Sequence, residues 1–314
     1  MVSISSAANI RERTKRFCNK INNWDHLSKN RTIFNKIAAH LQKEYKMIPD
    51  SERVGKGRVY ISRYVAKECY SFLKKLKKLS KKELLEFGIL CLKNTKTSEF
   101  LSVYYFAMIF LSEIIKDFPE KFLNIKSILE EWGSNDDWKV REGAIYPIIS
   151  GLKKNPEQVL EILAKWVNHK NEYIRRLVAE SLRPKATVKW LRNPEKNDKV
   201  LEILTEMRKD PSLYVRKSVG NNIKDLSKYM PEKMLRLMES WLEQANIRVH
   251  EQLATEIGLT QEEKRLIWTI KQGMRWIKDK NPEFHDGLEQ ILGKCYLLYF
   301  DEKTNRLAKP PSKK

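Results

Sequence analysis

Three stretches of this chain share one pattern: Asp137-Trp138-Lys139-Val140-Arg141-Glu142, Glu172-Tyr173-Ile174-Arg175-Arg176 and Ser212-Leu213-Tyr214-Val215-Arg216-Lys217. Each contains an aromatic residue, then Val or Ile followed directly by Arg, at the start of a predicted helix. The arginines at 141, 175 and 216 lie 34 and 41 residues apart, close to the period of about 40–47 residues that HEAT-type helix pairs have. The spacing predicts an all-α fold, an α-solenoid of HEAT-like helical repeats in which equivalent helices lie side by side.

Helical periodicity also extends through the rest of the chain. Apolar residues three and four positions apart predict helices over 82–93, 103–116, 121–132, 142–153, 156–168, 175–182, 198–208, 216–228, 231–243 and 262–279. The alternating leucines and lysines of residues 73–82 predict a further amphipathic helix, whose lysines either face solvent or contact phosphate. No segment shows the apolar–polar alternation of a convincing strand.

The pattern divides the chain into three parts. Residues 1–100 lack the Val-Arg pattern and are expected to form an N-terminal helical cap. Residues 101–300 carry the HEAT-like repeats, and residues 301–314 are expected to be a basic, disordered tail. Gly and Pro number only 11 each, which argues against Rossmann, P-loop and propeller folds because these need many tight turns or phosphate-binding loops.

Cysteine and histidine usage argues against a metal site. The four cysteines and five histidines are scattered, and no CxxC or HxxxH pair is present. We therefore predict no metal ligands and no cofactor, and thiols that are reduced in a cytoplasmic protein. The longest apolar run, residues 103–111, is far shorter than the roughly 20 residues of a membrane-spanning helix, so no membrane partner is predicted.

The charge balance points to an anionic partner. Lys and Arg number 61 against 40 Asp and Glu, a formal net charge of +21. Nucleic acid is the expected partner of a folded basic protein, and residues 175–228 carry 14 Lys and Arg against 7 Asp and Glu. We expect a basic concave DNA-binding face, with phosphates contacted by basic and amide side chains. The candidates are Arg141, Arg175, Arg176, Arg183, Lys185, Arg216, Lys217, Asn221, Asn222, Lys224 and Lys271.

Three carboxylates occupy related positions in the repeats. Counted from the arginine of each stretch, Glu142 is at +1, Glu180 at +5 and Asp225 at +9. At about 100° per residue, these side chains fall within about 80° of one another on equivalent helices. Acidic residues on a surface that binds phosphate are unusual because they repel it, so we interpret the three as a candidate catalytic group. The alternative for each is an ion pair with a nearby arginine.

Two tryptophans lie beside these carboxylates, Trp138 in the first stretch and Trp190 in a predicted loop. Core packing is the ordinary role of a tryptophan in a HEAT helix. A loop position favours a partly exposed functional role, so both are candidate substrate-binding residues.

These segments resemble the HEAT-like repeat DNA glycosylases, most closely the AlkC branch and more distantly AlkD. The resemblance rests on residues 175–184 (RRLVAESLRP) with the following Trp190, and on residues 210–228, 141–147 and 270–275. These ordered blocks cover roughly residues 130–283, whereas residues 1–100 match less well.

The resemblance implies hydrolysis of the N-glycosidic bond of cationic alkylated bases, such as N3-methyladenine or N3-methylcytosine, without a conventional base flip. It also implies that Glu142, Glu180 and Asp225 are catalytic and that Trp190 lies against the deoxyribose. The residues agree with this chemistry. A cationic base leaves readily, so carboxylates are needed to stabilise the oxocarbenium-like sugar or to orient water. No lysine stands in a Schiff-base context, so a monofunctional enzyme is expected.

Two other functions remain open at this point. A non-catalytic binder of damaged or branched DNA would keep the basic face, and a HEAT protein-interaction scaffold would need an acidic partner. The three acidic positions favour the enzyme, because a pure DNA binder gains nothing from them. The expected partner is double-stranded DNA with alkylated bases, bound by a monomer in the cytoplasm or, in a bacterium, at the nucleoid.

Overall fold

The structure, a computed structural model, is built almost entirely of helices. It describes residues 4–21, 31–94, 101–185, 187–247 and 260–277, together with 282–283, 286, 300–301 and 306–307. The chain divides into two compact units, Met1–Val159 and Leu160–Lys314. None of the described helices is long and apolar enough to cross a membrane.

The first unit is organised around one helix that is buried along most of its length. Its helices are α1 (Ala7–Asn19), α2 (Arg31–Lys46), α3 (Arg58–Lys75), α4 (Lys81–Lys93), α5 (Leu101–Asp117), α6 (Phe122–Gly133), α7 (Trp138–Gly143) and α8 (Ile145–Lys154). Helix α3 packs between α1 and α5, and α5 also packs against α4 and α8. Because α5 is apolar on nearly all sides, it is buried along most of its length, with Phe106 and Phe110 completely enclosed.

In the second unit, equivalent helices lie side by side, as the repeat pattern predicts. Helix α9 (Pro156–Trp166) crosses the boundary between the units, and α10 (Glu172–Ser181), α11 (Asp198–Glu206), α12 (Leu213–Leu226), α13 (Pro231–Gln244) and α14 (Gln261–Met274) follow. Helix α12 packs between α10 and α14. The α12–α14 approach is close at Gly220, where an added Cβ would lie 2.4 Å from Cβ of Gln272.

Each repeat arginine fastens the turn that precedes its own helix. Nη1 of Arg141, Arg175 and Arg216 donates to the backbone carbonyls six and five residues earlier. The distances are 2.6 and 2.8 Å for Arg141, 2.8 and 3.2 Å for Arg175, and 2.5 and 3.0 Å for Arg216. The Val-Arg pattern therefore marks a structural arginine clamp, since the carbonyls of the turn would otherwise lack partners.

The side chain six residues before each arginine completes the turn. It accepts a hydrogen bond from the backbone N–H two residues later, at 2.9 Å for Asn135 Oδ1, 3.1 Å for His169 Nδ1 and 2.8 Å for Asp210 Oδ1. Three residue types thus do the same work, because each presents an acceptor close to its own backbone. Asp210 also joins two repeats, since its Oδ2 lies 2.6 Å from Nε of Arg175.

Two predicted helices are interrupted. The amphipathic helix expected over residues 73–82 is wrong: α3 ends at Lys75, Lys78 has a φ of 52°, and α4 begins after Ser80. Ser80 and Glu83 form a capping box, which explains why the chain restarts a helix there. Leu76 is consequently 68% exposed instead of packed on an apolar face.

The helix expected over 142–153 is likewise divided into α7 and α8, which meet at Ala144. Gly143 lies so close to Tyr104 of α5 that an added Cβ would stand 2.3 Å from the ring. Tyr104 and Tyr105 donate their hydroxyls to the carbonyls of Val140 and Lys139, at 2.5 and 2.6 Å. The break has a local cause in Pro147, which has no N–H to donate to the carbonyl of Gly143, and the two tyrosines hold α7 against α5.

A short ladder near the C-terminus departs from the expected tail. Strand β1 (Phe300–Asp301) pairs antiparallel with β2 (Arg306–Leu307), two residues each. The pairing is too short for any apolar alternation to show in the sequence. The rest of the expected tail, residues 302–305 and 308–314, lies outside the described part of the chain.

Candidate active site

Glu180 is a buried carboxylate near the end of α10. It is 6% exposed, and its Oε1 accepts a hydrogen bond of 3.0 Å from the hydroxyl of Ser218 on α12. Arg176, one turn earlier on α10, places Nη2 3.7 Å from the same oxygen. A buried carboxylate requires such partners, because an uncompensated charge is costly to bury.

Arg183 connects Glu180 to Asp225 of α12. Its Nη2 and Nε lie 2.6 and 3.2 Å from Oδ2 of Asp225, and its Nη1 lies 3.4 Å from Oε2 of Glu180. The structure therefore brings two of the three predicted carboxylates to one guanidinium. The ion pairs also agree with the alternative role that the sequence left open for these residues.

The charges around Asp225 keep its carboxylate ionised. Burial alone would raise the pKa of Asp225, but hydrogen bonding to Arg183 and the charges of Arg183 and Lys224 outweigh burial and lower it. Nζ of Lys224 lies 3.3 Å from Oδ1, and Nζ of Lys228 lies 3.8 Å from the same atom. For Arg183, burial lowers the pKa and bonding to the two carboxylates raises it, with a net rise.

The cluster carries more positive than negative charge. Glu180 and Asp225 are surrounded by Arg176, Arg183, Lys224 on α12 and Lys228 just beyond the end of α12. Arg176 is further held over the ring of Tyr214, with the guanidinium carbon 4.9 Å from the ring centroid. Chemically, this arrangement offers carboxylates to a developing positive charge and cations to a nearby phosphate.

Segment 182–197 joins α10 to α11 and presents Trp190. Trp190 is half-buried within a 3-10 turn, Lys189–Arg192, while Lys185 is also half-buried. Arg192 fastens the segment by donating from Nη2 to the carbonyl of Pro184 at 3.2 Å. The predicted loop position of Trp190 is thus confirmed, and Arg183 lies in the same segment.

Glu142 and Trp138 lie on α7 in the first unit. Glu142 is half-buried, and its negative charge acts on Tyr104 and Tyr105, the two tyrosines that bond to α7. The pKa of Tyr105 is raised, mainly by burial, with Tyr146 and the charge of Glu142 adding to it. Trp138 is 59% exposed, with Nζ of Lys139 6.0 Å from its ring centroid. Its exposure excludes the core-packing role.

The predicted DNA-binding residues fall into distinct environments. Lys217 is exposed, and Lys224 and Lys271 are half-exposed. Asn222 is completely buried and donates from Nδ2 to the carbonyl of Ala179 at 2.9 Å, so it offers no surface to a phosphate in this structure. The arginines at 141, 175 and 216 are committed to the carbonyls of their turns, as described above.

The sequence missed three residues of this region: Ser218, Lys228 and Arg275. Ser218 could not be predicted, because nothing in the sequence around it indicates that it bonds to Glu180, 38 positions earlier. Arg275 lies 2.5 Å, through Nη2, from Oδ1 of Asn221 on α12. The signal for Lys228 was present, since it follows Asp225 by three residues, a helical ion-pair spacing.

No metal site is evident in the part of the chain that the structure describes. Its His, Cys, Asp and Glu side chains form no group of three or more that could hold a metal ion. In the cluster around Glu180 and Asp225, the carboxylates are compensated by basic side chains.

Comparison with known proteins places the chain among repair enzymes. A family model described as "DNA alkylation repair enzyme" matches residues 65–260. Bacillus subtilis (strain 168) YhaZ is 37% identical over 108 residues, a match that spans 33% of this chain and 29% of YhaZ.

Among solved structures, AlkD2 from Streptococcus mutans superposes with a TM-score of 0.51 at 19% identity, covering 77% of this chain and 97% of AlkD2. A Pseudomonas fluorescens AlkC structure, an alkylpurine DNA glycosylase bound to DNA containing an abasic site analogue, gives a TM-score of 0.48 at 19% identity, covering 91% of this chain and 67% of AlkC. The AlkD2 superposition agrees with the HEAT-like helical repeat fold, and the family match covers well over half of the sequence. The chain belongs to the DNA alkylation repair enzyme family.

Proposed function

We propose that this chain is a monofunctional DNA glycosylase that hydrolyses the N-glycosidic bond of cationic alkylated bases of the N3-methyladenine or N3-methylcytosine type. It acts on double-stranded DNA as a monomer and needs no cofactor. Membership of an alkylation repair family supports the class of substrate. The observation that carries the proposal is the pair of carboxylates, Glu180 and Asp225, held by one guanidinium in a basic setting.

The two carboxylates suit a reaction that passes through a positively charged sugar. As the bond to a cationic base breaks, positive charge shifts from the base to C1′ and O4′ of the deoxyribose. Glu180 and Asp225 stabilise that charge, because a buried carboxylate attracts a cation more strongly than one in water does. One of them orients the attacking water and takes its proton as the new C–O bond forms.

Before DNA binds, the positive charge of Arg183 lies beside the two carboxylates that the cationic sugar would later contact. Its guanidinium compensates Glu180 and Asp225 together with Arg176, Lys224 and Lys228. DNA provides a phosphate as an alternative partner for Arg183. Movement of Arg183 towards that phosphate frees the carboxylates for the sugar and ties catalysis to DNA binding.

The remaining predicted residues complete the proposal. Glu142 is the third catalytic carboxylate, and Trp190 packs against the deoxyribose of the lesion. Trp138 is a second substrate contact, since its ring is exposed at the start of α7. We assign phosphate binding to the exposed or half-exposed cations Arg183, Lys185, Lys217, Lys224 and Lys271.

The test is release of free bases from duplex DNA treated with a methylating agent. Freed bases are separated by chromatography after incubation with the protein, with buffer alone, and with the E180Q/D225N double variant. We expect N3-methyladenine or N3-methylcytosine above both controls, and intact strands until alkali is added. Equal release from the protein and the double variant would refute the assignment of these carboxylates.

A second candidate, a non-catalytic binder of damaged DNA, is favoured by one observation. Arg183 neutralises both carboxylates, so the cluster also makes sense as a purely structural ion-pair network between α10 and α12. Absence of base release together with salt-sensitive DNA binding in the same preparation would select this candidate.

A further inference from the structure

A groove between α1 and α2, in the first unit, lies outside everything proposed above. It encloses about 530 Å³, within the range of about 300–1,000 Å³ of small-molecule sites. The residues that line it include two aromatic rings and a set of basic side chains. They are the half-exposed Phe17, the buried His40, and the exposed Arg16, Lys20, Lys36 and Lys43.

The groove has an aromatic wall. The rings of Phe17 and His40 stack with centroids 4.2 Å apart and planes inclined by 4°. Phe17 is half-exposed, whereas His40 is only 8% exposed and lines the groove from within. Such a wall offers a flat apolar surface of the kind on which nucleobases stack.

The polar edge of His40 is defined by its neighbours. The hydroxyl of Thr14 donates to the carbonyl of Ile10 at 2.8 Å, so towards His40 it acts as the acceptor for Nε2–H at 3.1 Å. Nδ1 of His40 then carries the lone pair, and no described residue donates to it. Burial is the main reason why the pKa of His40 is lowered to about 4, so the ring is neutral at pH 7.

The exposed rim of the groove is cationic and lacks internal compensation. Glu44, which also lines the groove, is fully engaged by Arg13, with Nε–Oε1 and Nη2–Oε2 distances of 2.8 and 2.6 Å. Lys20, Lys36 and Lys43 are exposed and form no ion pair with a carboxylate of the described ranges. The groove therefore presents three positive charges that attract an anion.

We propose that this groove binds an unpaired nucleotide of a single nucleic-acid strand. Its base stacks on Phe17, and its phosphates contact Lys20, Lys36 and Lys43. An aromatic wall beside a cationic rim is the combination that recognises single strands. The concave shape favours one nucleotide over a duplex, whose phosphates need an open surface.

The proposal does not depend on the glycosylase activity. The residues that carry it lie on α1 and α2 or, for Lys20, directly after α1, whereas the Glu180–Asp225 cluster belongs to the second unit. Base release from methylated duplex and single-strand binding in the groove are separate measurements, so the failure of one leaves the other standing.

The test measures binding of a fluorescent dT10 strand by anisotropy over a range of salt concentrations. The groove variant is K20Q/K36Q/K43Q, and the matched control is K15Q/K46Q/K75Q, which removes three exposed lysines that do not line the groove. Because each single-strand phosphate contact contributes about 0.7 to the salt slope, we expect the slope of the groove variant to decrease by about 2. We expect the control to lose much less. Equal slopes for the two variants would overturn the proposal.

A second variant tests the aromatic wall. F17L keeps an apolar side chain but removes the ring, and we expect dT10 to bind about tenfold more weakly, with an unchanged salt slope. A 5-iodouracil strand should crosslink at Phe17 on irradiation, and free thymidine monophosphate should compete. Competition by thymidine monophosphate at the same concentration as dT10 would overturn the assignment to a strand, because a free nucleotide would then be the ligand. Unchanged dT10 binding by F17L, or a groove variant that weakens only duplex binding, would refute the assignment.

Discussion

Replacing Glu180 by Gln changes charge with almost no change in shape. Ser218 donates to Oε1 at 3.0 Å, so the amide oxygen of Gln is expected to remain there. The amide NH₂ then faces Nη1 of Arg183, which lies 3.4 Å from Oε2 in the native protein. Two donors would meet where a donor and a carboxylate met before, and Arg183 would keep Asp225 as its remaining carboxylate.

The expected rate loss follows from the charge that is removed. A carboxylate about 5 Å from a positive charge contributes about 3 kcal/mol at an effective dielectric constant of about 20. Screening by Arg176 and Arg183 reduces this contribution, so we expect about 1.4–3 kcal/mol, a rate loss of about tenfold to a hundredfold. Loss of a charged hydrogen bond also costs about 2 kcal/mol of folding stability, and the assay temperature must stay below the unfolding transition.

The assay is single-turnover base release from methylated duplex DNA, with protein in excess so that product release does not limit the rate. Glu202→Gln is the matched control, because Glu202 is an exposed carboxylate of α11 in the same unit. We expect E180Q to bind the duplex as tightly as the native protein does. Equal single-turnover rates for E180Q, the control and the native protein would remove Glu180 from the catalytic group.

Three further predictions concern stability. Arg175→Lys should destabilise the protein almost as much as Arg175→Ala, by about 3 kcal/mol in urea unfolding. The reason is that Lys cannot form the bidentate pair that Arg175 makes with Asp210. Native stability of the Lys variant would show that charge alone matters. Gly220→Ala should lower the melting temperature by several degrees through a loss of about 1–3 kcal/mol of folding stability. Gly55→Ala is the control and should leave the melting temperature unchanged, because nothing lies within 4 Å of the new Cβ. Similar melting temperatures for the two variants would contradict the close α12–α14 approach. The folded-state pKa of His40, about 4, lies below its ordinary value of 6.5. As the pH is lowered, the unfolded chain therefore binds the proton first, and the free energy of unfolding decreases as the pH drops from 6.5 to 4. Relative to His40→Gln, the native protein should lose about 2 kcal/mol between pH 7 and pH 5, and parallel stability curves for the two proteins would refute this.

The sequence predicted the helical repeats because their signals are local. Apolar periodicity and the Val-Arg pattern located α10 and α12, and both helices begin three residues before their repeat arginine. The interruptions were missed although they also have local signals, the capping box of Ser80 and Glu83 and the proline at position 147, because apolar periodicity alone does not register them. Gly143 ends α7 against Tyr104, a residue 39 positions earlier in the chain, and no helical pattern contains that contact.

The candidate site was predicted in part. The helical offsets of Glu180 and Asp225 anticipated that their side chains approach each other across two helices, and Arg183 holds them together. The offsets did not reveal that the repeat arginines donate to backbone carbonyls. In a strongly basic protein, an arginine is first interpreted as a phosphate-binding residue. Asn222 was misleading for a similar reason: its amide is buried between α12 and α10 and not displayed to solvent.

The arginine clamp has a consequence for where this chain can change in length. Arg141, Arg175 and Arg216 each reach carbonyls a fixed six and five residues back, so an insertion within that turn would pull the guanidinium off its acceptors. The repeat arginines are 34 residues apart between positions 141 and 175 but 41 apart between positions 175 and 216. Segment 182–197 lies in the longer of these two repeats, whereas in the shorter one only Asn155 separates α8 from α9. Extending a loop costs little, about 0.6 kcal/mol for each doubling. The distance between repeats is therefore set in this segment, whereas the turns that the arginines hold keep a fixed length.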